Sequence, residues 1–126
     1  MSSDGKRVLL VEDDRFLRRA CEKSLRQQGF AVSTAADGEE ALRAVQAGPP
    51  DLILLDLLMP KVTGIEVLRA LKADEKTRAI PVVILTNSSK ETDVREIETL
   101  GAAGYLVKAN LSLEELGHQV NQLLEG

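Results

Sequence analysis

This chain of 126 residues has little of several features that mark particular protein classes. Its one cysteine, Cys21, cannot form an internal disulfide, which agrees with a reducing compartment. Its apolar runs are too short to cross a bilayer, and the first residues, MSSDGKR, lack the apolar stretch of a signal peptide. We therefore expect a cytoplasmic protein that has no membrane partner.

Aromatic residues make up only 2% of the chain, and the formal net charge is −4. A nucleic-acid surface needs basic patches for phosphates and aromatic platforms for bases, so we expect no direct nucleic-acid binding. Glycine is spread along the chain, which gives no glycine-rich loop for a phosphate. With 44% hydrophobic and 29% charged residues, the chain has the composition of one soluble globular domain with its own core.

Short apolar runs alternate with segments of helical period five times along the chain. We predict strands over 7–11, 30–35, 52–55, 82–85 and 104–107. We predict five helices. The first ends at Gly29; its inward stripe is Leu17, Ala20, Cys21, Ser24 and Leu25, and its basic residues lie mostly on the other side (Arg15, Arg18, Arg19, Lys23, Arg26). The second covers 37–47 and is capped by Asp37, the third holds Ile65, Leu68 and Leu71, the fourth covers 90–100 with Val94 and Ile97 inward, and the fifth begins with a Ser112/Glu115 capping box and carries Leu113, Leu116, Val120, Leu123 and Leu124. Such alternation predicts a doubly wound α/β sandwich of parallel strands with helices on both faces.

The stretch DLILLDLLMPKVTG, from Asp51 to Gly64, is the centre of this pattern. Its continuous apolar run, 52–55, is typical of a strand buried on both faces of a parallel sheet. Asp56 follows at the carboxyl end of that strand, where open α/β sheets bind their ligands. Taken alone, the stretch leaves two interpretations open. Asp56 is either a site residue or a helix cap at a solvated strand end.

Polar side chains follow four of the five predicted strands. Each of these side chains, taken by itself, is most simply part of a solvated turn or a surface charge. Parallel strands, however, bring their carboxyl ends to one edge of the sheet. The residues that meet there are Glu12 and Asp13 after the first strand, Asp56 after the third, Thr86 after the fourth and Lys108 after the fifth. Crowded carboxylates repel one another, and a hard divalent cation such as Mg²⁺ compensates them. A carboxylate beside a cation, a lysine and a hydroxyl can attack a phosphoryl group. The set therefore predicts phosphoryl-transfer chemistry.

Four motifs together resemble the receiver domain of bacterial two-component response regulators, the CheY-like superfamily: VEDD at 11–14, LLDLLMPKVTG at 54–64, ILTNSS at 84–89 and GAAGYLVK at 101–108. The resemblance covers about 7–124. It implies a five-stranded parallel sheet of flavodoxin-like order 2-1-3-4-5, and one receiver domain over 1–126 with no output domain in this chain. It also implies a regulatory phosphoprotein that is not an enzyme in the usual sense, because it catalyses only its own phosphorylation and dephosphorylation.

The resemblance implies a Mg²⁺ site built from four residues. Asp13 and Asp56 would ligate the ion directly, Glu12 would act through water, and Leu58 would contribute its backbone carbonyl. Asp56 would accept a phosphoryl group from a histidine kinase or a phosphotransfer protein and become an aspartyl phosphate.

The resemblance also implies a switch that responds to the phosphoryl group in a phosphorelay. Lys108 and Thr86 would contact the group once it is formed, and Tyr105 would rotate inward behind the moving threonine. A downstream target protein would then bind the face formed by the fourth helix, the fifth strand and the fifth helix.

Departures from the family pattern concern the neighbours of these residues. Asn87 stands where the family usually has a small residue, and its effect on the site has no sign readable from sequence. Ala109 replaces the usual proline after Lys108; since a non-proline cis bond costs about 3 kcal/mol, we expect a trans peptide there. By the same resemblance, Leu58 and Ser88 occupy positions that in this family tune the lifetime of the phosphoryl group. Neither side chain supplies a base that activates water, so we expect no especially fast dephosphorylation.

Two other functions compete with the phosphoacceptor switch. One is a receiver-like interaction module that acts without phosphorylation, which Asn87 and Ala109 keep open. The other is an aspartyl-nucleophile phosphatase, which usually needs a second acid two residues after its nucleophile, where this chain has Leu58. His118 falls mid-helix and far from the strand ends, so we expect an ordinary surface residue, and we expect Cys21 to be a small core residue.

Overall fold

A computed structural model describes residues 5–57, 63–86, 91–108 and 112–125. One parallel sheet contains the strands β1 (Arg7–Val11), β2 (Ala31–Ala35), β3 (Leu52–Asp56), β4 (Val82–Thr86) and β5 (Gly104–Val107). The strand order is β2-β1-β3-β4-β5, with each neighbouring pair parallel. The predicted doubly wound sheet and its order are confirmed.

Five helices cover the two faces of the sheet: α1 (Arg15–Gln27), α2 (Gly38–Ala47), α3 (Gly64–Ala73), α4 (Glu91–Thr99) and α5 (Leu113–Glu125). Successive side chains of a strand point to opposite faces, which gives two core clusters. On one face Leu9 and Val11 pack with α2, α3 and Ile97 of α4. On the other, Val8 and Leu10 pack with apolar side chains of α1 and α5. The helices therefore form one layer on each side of the sheet.

Local signals in the sequence set the ends of the helices. The Asp14 side chain accepts hydrogen bonds from the backbone of Phe16 and Leu17 at the start of α1, and Asp37 caps α2 as predicted. At the other end of α1, Gly29 has φ 95°, and the Phe30 amide donates to the Leu25 carbonyl over 3.2 Å. This left-handed cap is the form that glycine favours, so the predicted end of the helix is confirmed.

The bounds of several elements differ from the predictions by one residue: β3 ends at Asp56 rather than at Leu55, and α4 ends at Thr99 rather than at Leu100. β2 begins at Ala31 rather than Phe30, although the Phe30 side chain is buried. Leu113, one of the leucines of the predicted fifth helix, is exposed at the first position of α5, one turn before the buried Leu116. The predicted roles of Val94 and Glu115 fall on side chains outside the described part. Within the described residues, no helix is both long and apolar enough to span a membrane.

Candidate functional site

Asp56 ends the fully buried strand β3 and is itself only 3% exposed. The start of α3 packs directly on this strand end, where the Gly64 amide donates to the Leu57 carbonyl over 3.0 Å. A Cβ on Gly64 would lie 2.3 Å from the Asp56 carbonyl oxygen and 2.7 Å from the Leu57 Cα. Real Cβ atoms do not approach backbone atoms so closely, so this contact requires glycine. Backbone packing between the end of β3 and the start of α3 therefore fixes the position of Asp56.

Glu12 and Asp13 follow β1 at the same edge of the sheet. Glu12 is fully buried, and its Oε2 accepts a hydrogen bond from the Asp14 amide over 3.0 Å. Asp13 is exposed at the mouth of the site. The three carboxylates of Glu12, Asp13 and Asp56 each offer an oxygen within 4.8 Å of the others. The predicted acidic cluster is thus brought together by the topology.

Lys108 follows β5 and reaches across the cluster. Its Nζ lies 2.9 Å from Glu12 Oε1 and 3.0 Å from Asp56 Oδ1, so one ammonium bridges two buried carboxylates. Burial opposes the charge of Lys108, but its bonds to Glu12 and Asp56 outweigh that effect and raise its pKa above the ordinary value. The lysine is therefore held as a cation at the carboxyl edge of the sheet.

Burial of the Asp56 carboxyl, reinforced by the neighbouring carboxyls of Asp13 and Glu12, raises its pKa to about 7 against the lowering effect of Lys108. Asp13 behaves in the opposite way. Burial acts to raise its pKa, but its hydrogen bonds with Asp56 and Glu12 prevail and lower it. The site thus concentrates negative charge that the ammonium of Lys108 does not neutralise.

This donor set fits a hard divalent cation. Mg²⁺ prefers oxygen ligands and takes one or two carboxylates together with water. Glu12, Asp13 and Asp56 present carboxylate oxygens close together, and Asp13 is open to solvent at the mouth. The excess negative charge beside Lys108 is what such an ion would balance. The residues present therefore suit Mg²⁺.

Thr86 and Tyr105 lie on the two strands beyond Asp56. Thr86 ends β4 and is 3% exposed; in the strand register it is one residue past Leu85, the partner of Asp56. Tyr105 lies on the edge strand β5, pairs with Ile84 of β4 and is 36% exposed. The hydroxyl of Thr86 is thus at the predicted edge, and the aromatic ring of Tyr105 is in contact with solvent.

Several predicted site positions lie outside the described residues: Leu58 with its backbone carbonyl, Asn87, Ser88 and Ala109. Their predicted roles, including the trans peptide after Lys108, stay predictions. His118 is exposed on α5, where its Nε2 is 3.3 Å from the Gln122 amide nitrogen, and Cys21 is buried in the core. Both of these placements agree with expectation.

The contact of Arg18 with the acidic loop was not predicted from the sequence. The helical period put Arg18 with the basic residues mostly on the solvent side of α1, yet it is half-buried and its Nη1 donates to the Glu12 carbonyl over 2.8 Å. The only local signal was its position four residues after Asp14, one turn into the helix that begins beside the acidic loop. The close approach of Gly64 was missed as well, since glycine there was interpreted only as part of a turn.

Comparison with known proteins identifies the family. The sequence matches the model of the response regulator receiver domain over residues 8–121. It is 41% identical to the transcriptional regulatory protein AfsQ1 of Streptomyces coelicolor over 101 residues, covering 80% of this chain and 44% of that one. It is 43% identical to the transcriptional regulatory protein PrrA of Mycobacterium tuberculosis over 119 residues, covering 94% of this chain and 49% of that one. The chain thus spans about half the length of these curated relatives, or less.

Solved structures agree with the sequence relatives. The chemotaxis protein CheY4 of Vibrio cholerae superimposes with a TM-score of 0.88 at 32% identity, over 94% of this chain and 98% of that one. A putative response regulator from Chloroflexus aurantiacus gives a TM-score of 0.89 at 28% identity, over 98% of this chain and 100% of that one. With the strand order, the acidic cluster and these matches in agreement, the chain belongs to the response regulator receiver domain family.

Proposed function

We propose that this chain is a phosphoacceptor switch of a two-component phosphorelay, with Asp56 as the acceptor and Mg²⁺ as the cofactor. The observation that carries the proposal is the arrangement of Asp56: a buried carboxylate grouped with Glu12 and Asp13 and bonded to Lys108. Receiver domains are regulatory rather than enzymes in the usual sense, so the reaction is the protein's own modification. The donor is the phosphohistidine of a histidine kinase or of a phosphotransfer protein.

In the transfer step, a carboxylate oxygen of Asp56 forms a bond to phosphorus while the phosphorus–nitrogen bond of the phosphohistidine breaks and its imidazole leaves. Lys108 already touches Asp56, so its ammonium is in place to pair with the phosphoryl oxygens. Glu12 keeps the ammonium at this edge through its own contact. Asp13 and Asp56 would hold Mg²⁺ directly, Glu12 through water and Leu58 through its backbone carbonyl, and the ion would supply further positive charge for the phosphoryl oxygens.

The new phosphoryl group then acts on Thr86 and Tyr105. An aspartyl phosphate adds negative charge and acceptor oxygens at the end of β3, within reach of the hydroxyl that ends the adjacent strand β4. As Thr86 turns toward these oxygens, it leaves space behind it that the ring of Tyr105 fills. The partial exposure of Tyr105 supports this step, because a ring that is in contact with solvent can become more buried when it moves inward.

We place the downstream protein partner on the face formed by α4, β5 and α5. A groove of about 520 Å³ runs along this face, and its lining includes Ile97, Tyr105 and Leu123. Since Tyr105 belongs both to the groove and to the proposed switch, phosphorylation at Asp56 changes the shape that a partner meets. The net charge of −4 supports a protein, rather than nucleic acid, as the direct partner of this chain.

The test is intact-protein mass after incubation with acetyl phosphate, with and without Mg²⁺. We expect a gain of one phosphoryl group that requires Mg²⁺ and is lost in Asp56→Ala. Asp51→Ala is the matched control, because Asp51 lies just before the same strand at its opposite end. This variant should gain the group as the native protein does.

A native protein that binds Mg²⁺ but gains no phosphoryl group contradicts the proposal. That result favours the interaction module that works without phosphorylation, and Asn87 and Ala109 are then the first residues to revert to the family pattern. A gain that survives in Asp56→Ala contradicts the assignment of the acceptor.

A further inference from the structure

The guanidinium of Arg18 is tied to the backbone of the acidic loop. Its Nη1 donates to the Glu12 carbonyl over 2.8 Å and lies 3.4 Å from the Asp13 carbonyl. A charged donor makes a stronger hydrogen bond than a neutral one, and the planar guanidinium holds its direction. Arg18 therefore connects α1 to the two residues whose carboxylates stand beside Asp56.

The position of Arg18 is electrostatically unfavourable for the helix itself. The amino end of a helix carries partial positive charge and favours acids, as α2 and α3 show with Glu39, Glu40 and Glu66 in their first turns. The first turn of α1 has no acid, and the residue one turn after the cap is a cation. The contacts with the acidic loop give this arginine a stabilising role that the helix alone does not.

We infer that Arg18 is a positioning residue for the metal site of the proposed function. Glu12 is held from one side by the Asp14 amide, which donates to its Oε2 over 3.0 Å. Arg18 holds the same loop through its carbonyls, so that the Glu12 and Asp13 carboxylates leave the backbone toward Asp56. Without the contact from Arg18, the loop still carries the carboxylates of Glu12 and Asp13, but it loses the fixed geometry that binding of a small cation requires.

Charge and positioning predict opposite results when Arg18 is replaced. Arg18 is a cation close to a cation site, so removing its charge alone would tighten Mg²⁺ binding. Loss of positioning weakens it instead, as happens when the groups that orient metal ligands are removed. The sign of the change in Mg²⁺ affinity therefore separates the two effects.

The experiment measures the Mg²⁺ dissociation constant by calorimetry for the native protein, Arg18→Gln, Arg18→Lys and Arg19→Gln. We expect Arg18→Gln to weaken binding about tenfold, in the range found for residues that orient metal ligands. Arg18→Lys keeps the charge but not the planar fork, so its binding should be intermediate. Arg19 is the exposed neighbour on the same helix, and Arg19→Gln serves as the charge-matched control with affinity unchanged or slightly tighter.

Two further measurements keep the result interpretable. Amide hydrogen exchange at Asp13 and Asp14 should speed up in Arg18→Gln while exchange in β3 stays slow, and phosphorylation by acetyl phosphate should recover at saturating Mg²⁺. Unchanged or tighter Mg²⁺ binding in Arg18→Gln, or equal weakening in Arg19→Gln, overturns the inference. If the native protein binds Mg²⁺ but is not phosphorylated, the proposed function fails while the role of Arg18 in metal binding is still decided by calorimetry.

Discussion

The central strands β3 and β4 differ from the edge strand β5 in how completely their side chains are buried. Every residue of β3 and β4 is buried, including the polar residues Asp56 and Thr86 at their ends. In β5 the four residues are half-buried or exposed, and Tyr105 is the most open of the large ones. β5 pairs only with β4, whereas β3 and β4 have a strand on each side.

This difference divides the proposed switch into a fixed part and a movable part. The backbone at Asp56 and Thr86 is held by core packing, which is dense and resists displacement, so Thr86 can respond to the phosphoryl group only by turning its side chain. The residues of β5 bury less and lose less when they change place, so a ring there can exchange between solvent and interior at low cost. The proposed chemistry is therefore located where the chain is tightly packed, and the proposed readout where it is less so.

The division into a fixed part around Asp56 and a movable part at β5 is tested most strongly by replacing one glycine with alanine in each part. Gly64→Ala places a Cβ against the Asp56 carbonyl, and we expect it to lower the free energy of unfolding by about 3 kcal/mol, at the upper end for an overpacked site. It should also abolish Mg²⁺-dependent phosphorylation by moving Asp56. Urea denaturation and intact-protein mass measure the two effects.

Gly104→Ala in β5 is the matched control. Its Cβ would meet the Leu123 Cδ2 at 3.5 Å, an ordinary contact. Since alanine also restricts the unfolded chain, the stability should change by less than about 1 kcal/mol, toward higher stability. Equal losses for the two variants would contradict the division into a fixed centre and a movable edge.

The fold and the grouping of most candidate site residues at one edge could be predicted from the sequence, because both depend on patterns along the chain. Apolar runs alternating with helical segments predict parallel strands, and parallel strands alone bring Glu12, Asp13, Asp56, Thr86 and Lys108 to one edge. The inward turn of Arg18, the double contact of Lys108 and the close approach at Gly64 could not be predicted in this way. Each depends on distances between separate elements, about which local periodicity says nothing.

A second test concerns Cys21, which packs in the same core cluster as Leu54 of β3. Burial, helped by the charge of Glu12, raises the pKa of its thiol from 9.0 to about 11. The folded state thus disfavours the thiolate that the unfolded chain forms. The contribution of the buried, neutral Cys21 thiol to the free energy of unfolding is fully present below pH 9 and is lost as the pH rises toward 11. We expect a loss of roughly 2 kcal/mol over this window.

Cys21→Ala isolates this effect from other groups that titrate at high pH. Urea denaturation under reducing conditions, at pH 8 and at pH 10.5, should show that the native protein loses more stability than the variant. A parallel decline of the two proteins would mean that the thiol is not held in a closed core, and the fixed part would then be smaller than the burial of β3 indicates.

The smallest effect we expect is spectroscopic, and it concerns the movable part. The chain has one tyrosine and no tryptophan, so its intrinsic fluorescence reports on Tyr105 alone. Phosphorylation with acetyl phosphate and Mg²⁺ should reduce quenching of this fluorescence by acrylamide, because the ring leaves solvent. In Thr86→Ala the phosphoryl gain should persist while the change in quenching disappears, and Thr86→Ser, which keeps the hydroxyl, should restore it. If the change persists in Thr86→Ala, Tyr105 moves independently of the threonine, and the edge strand responds to the phosphoryl group by another route.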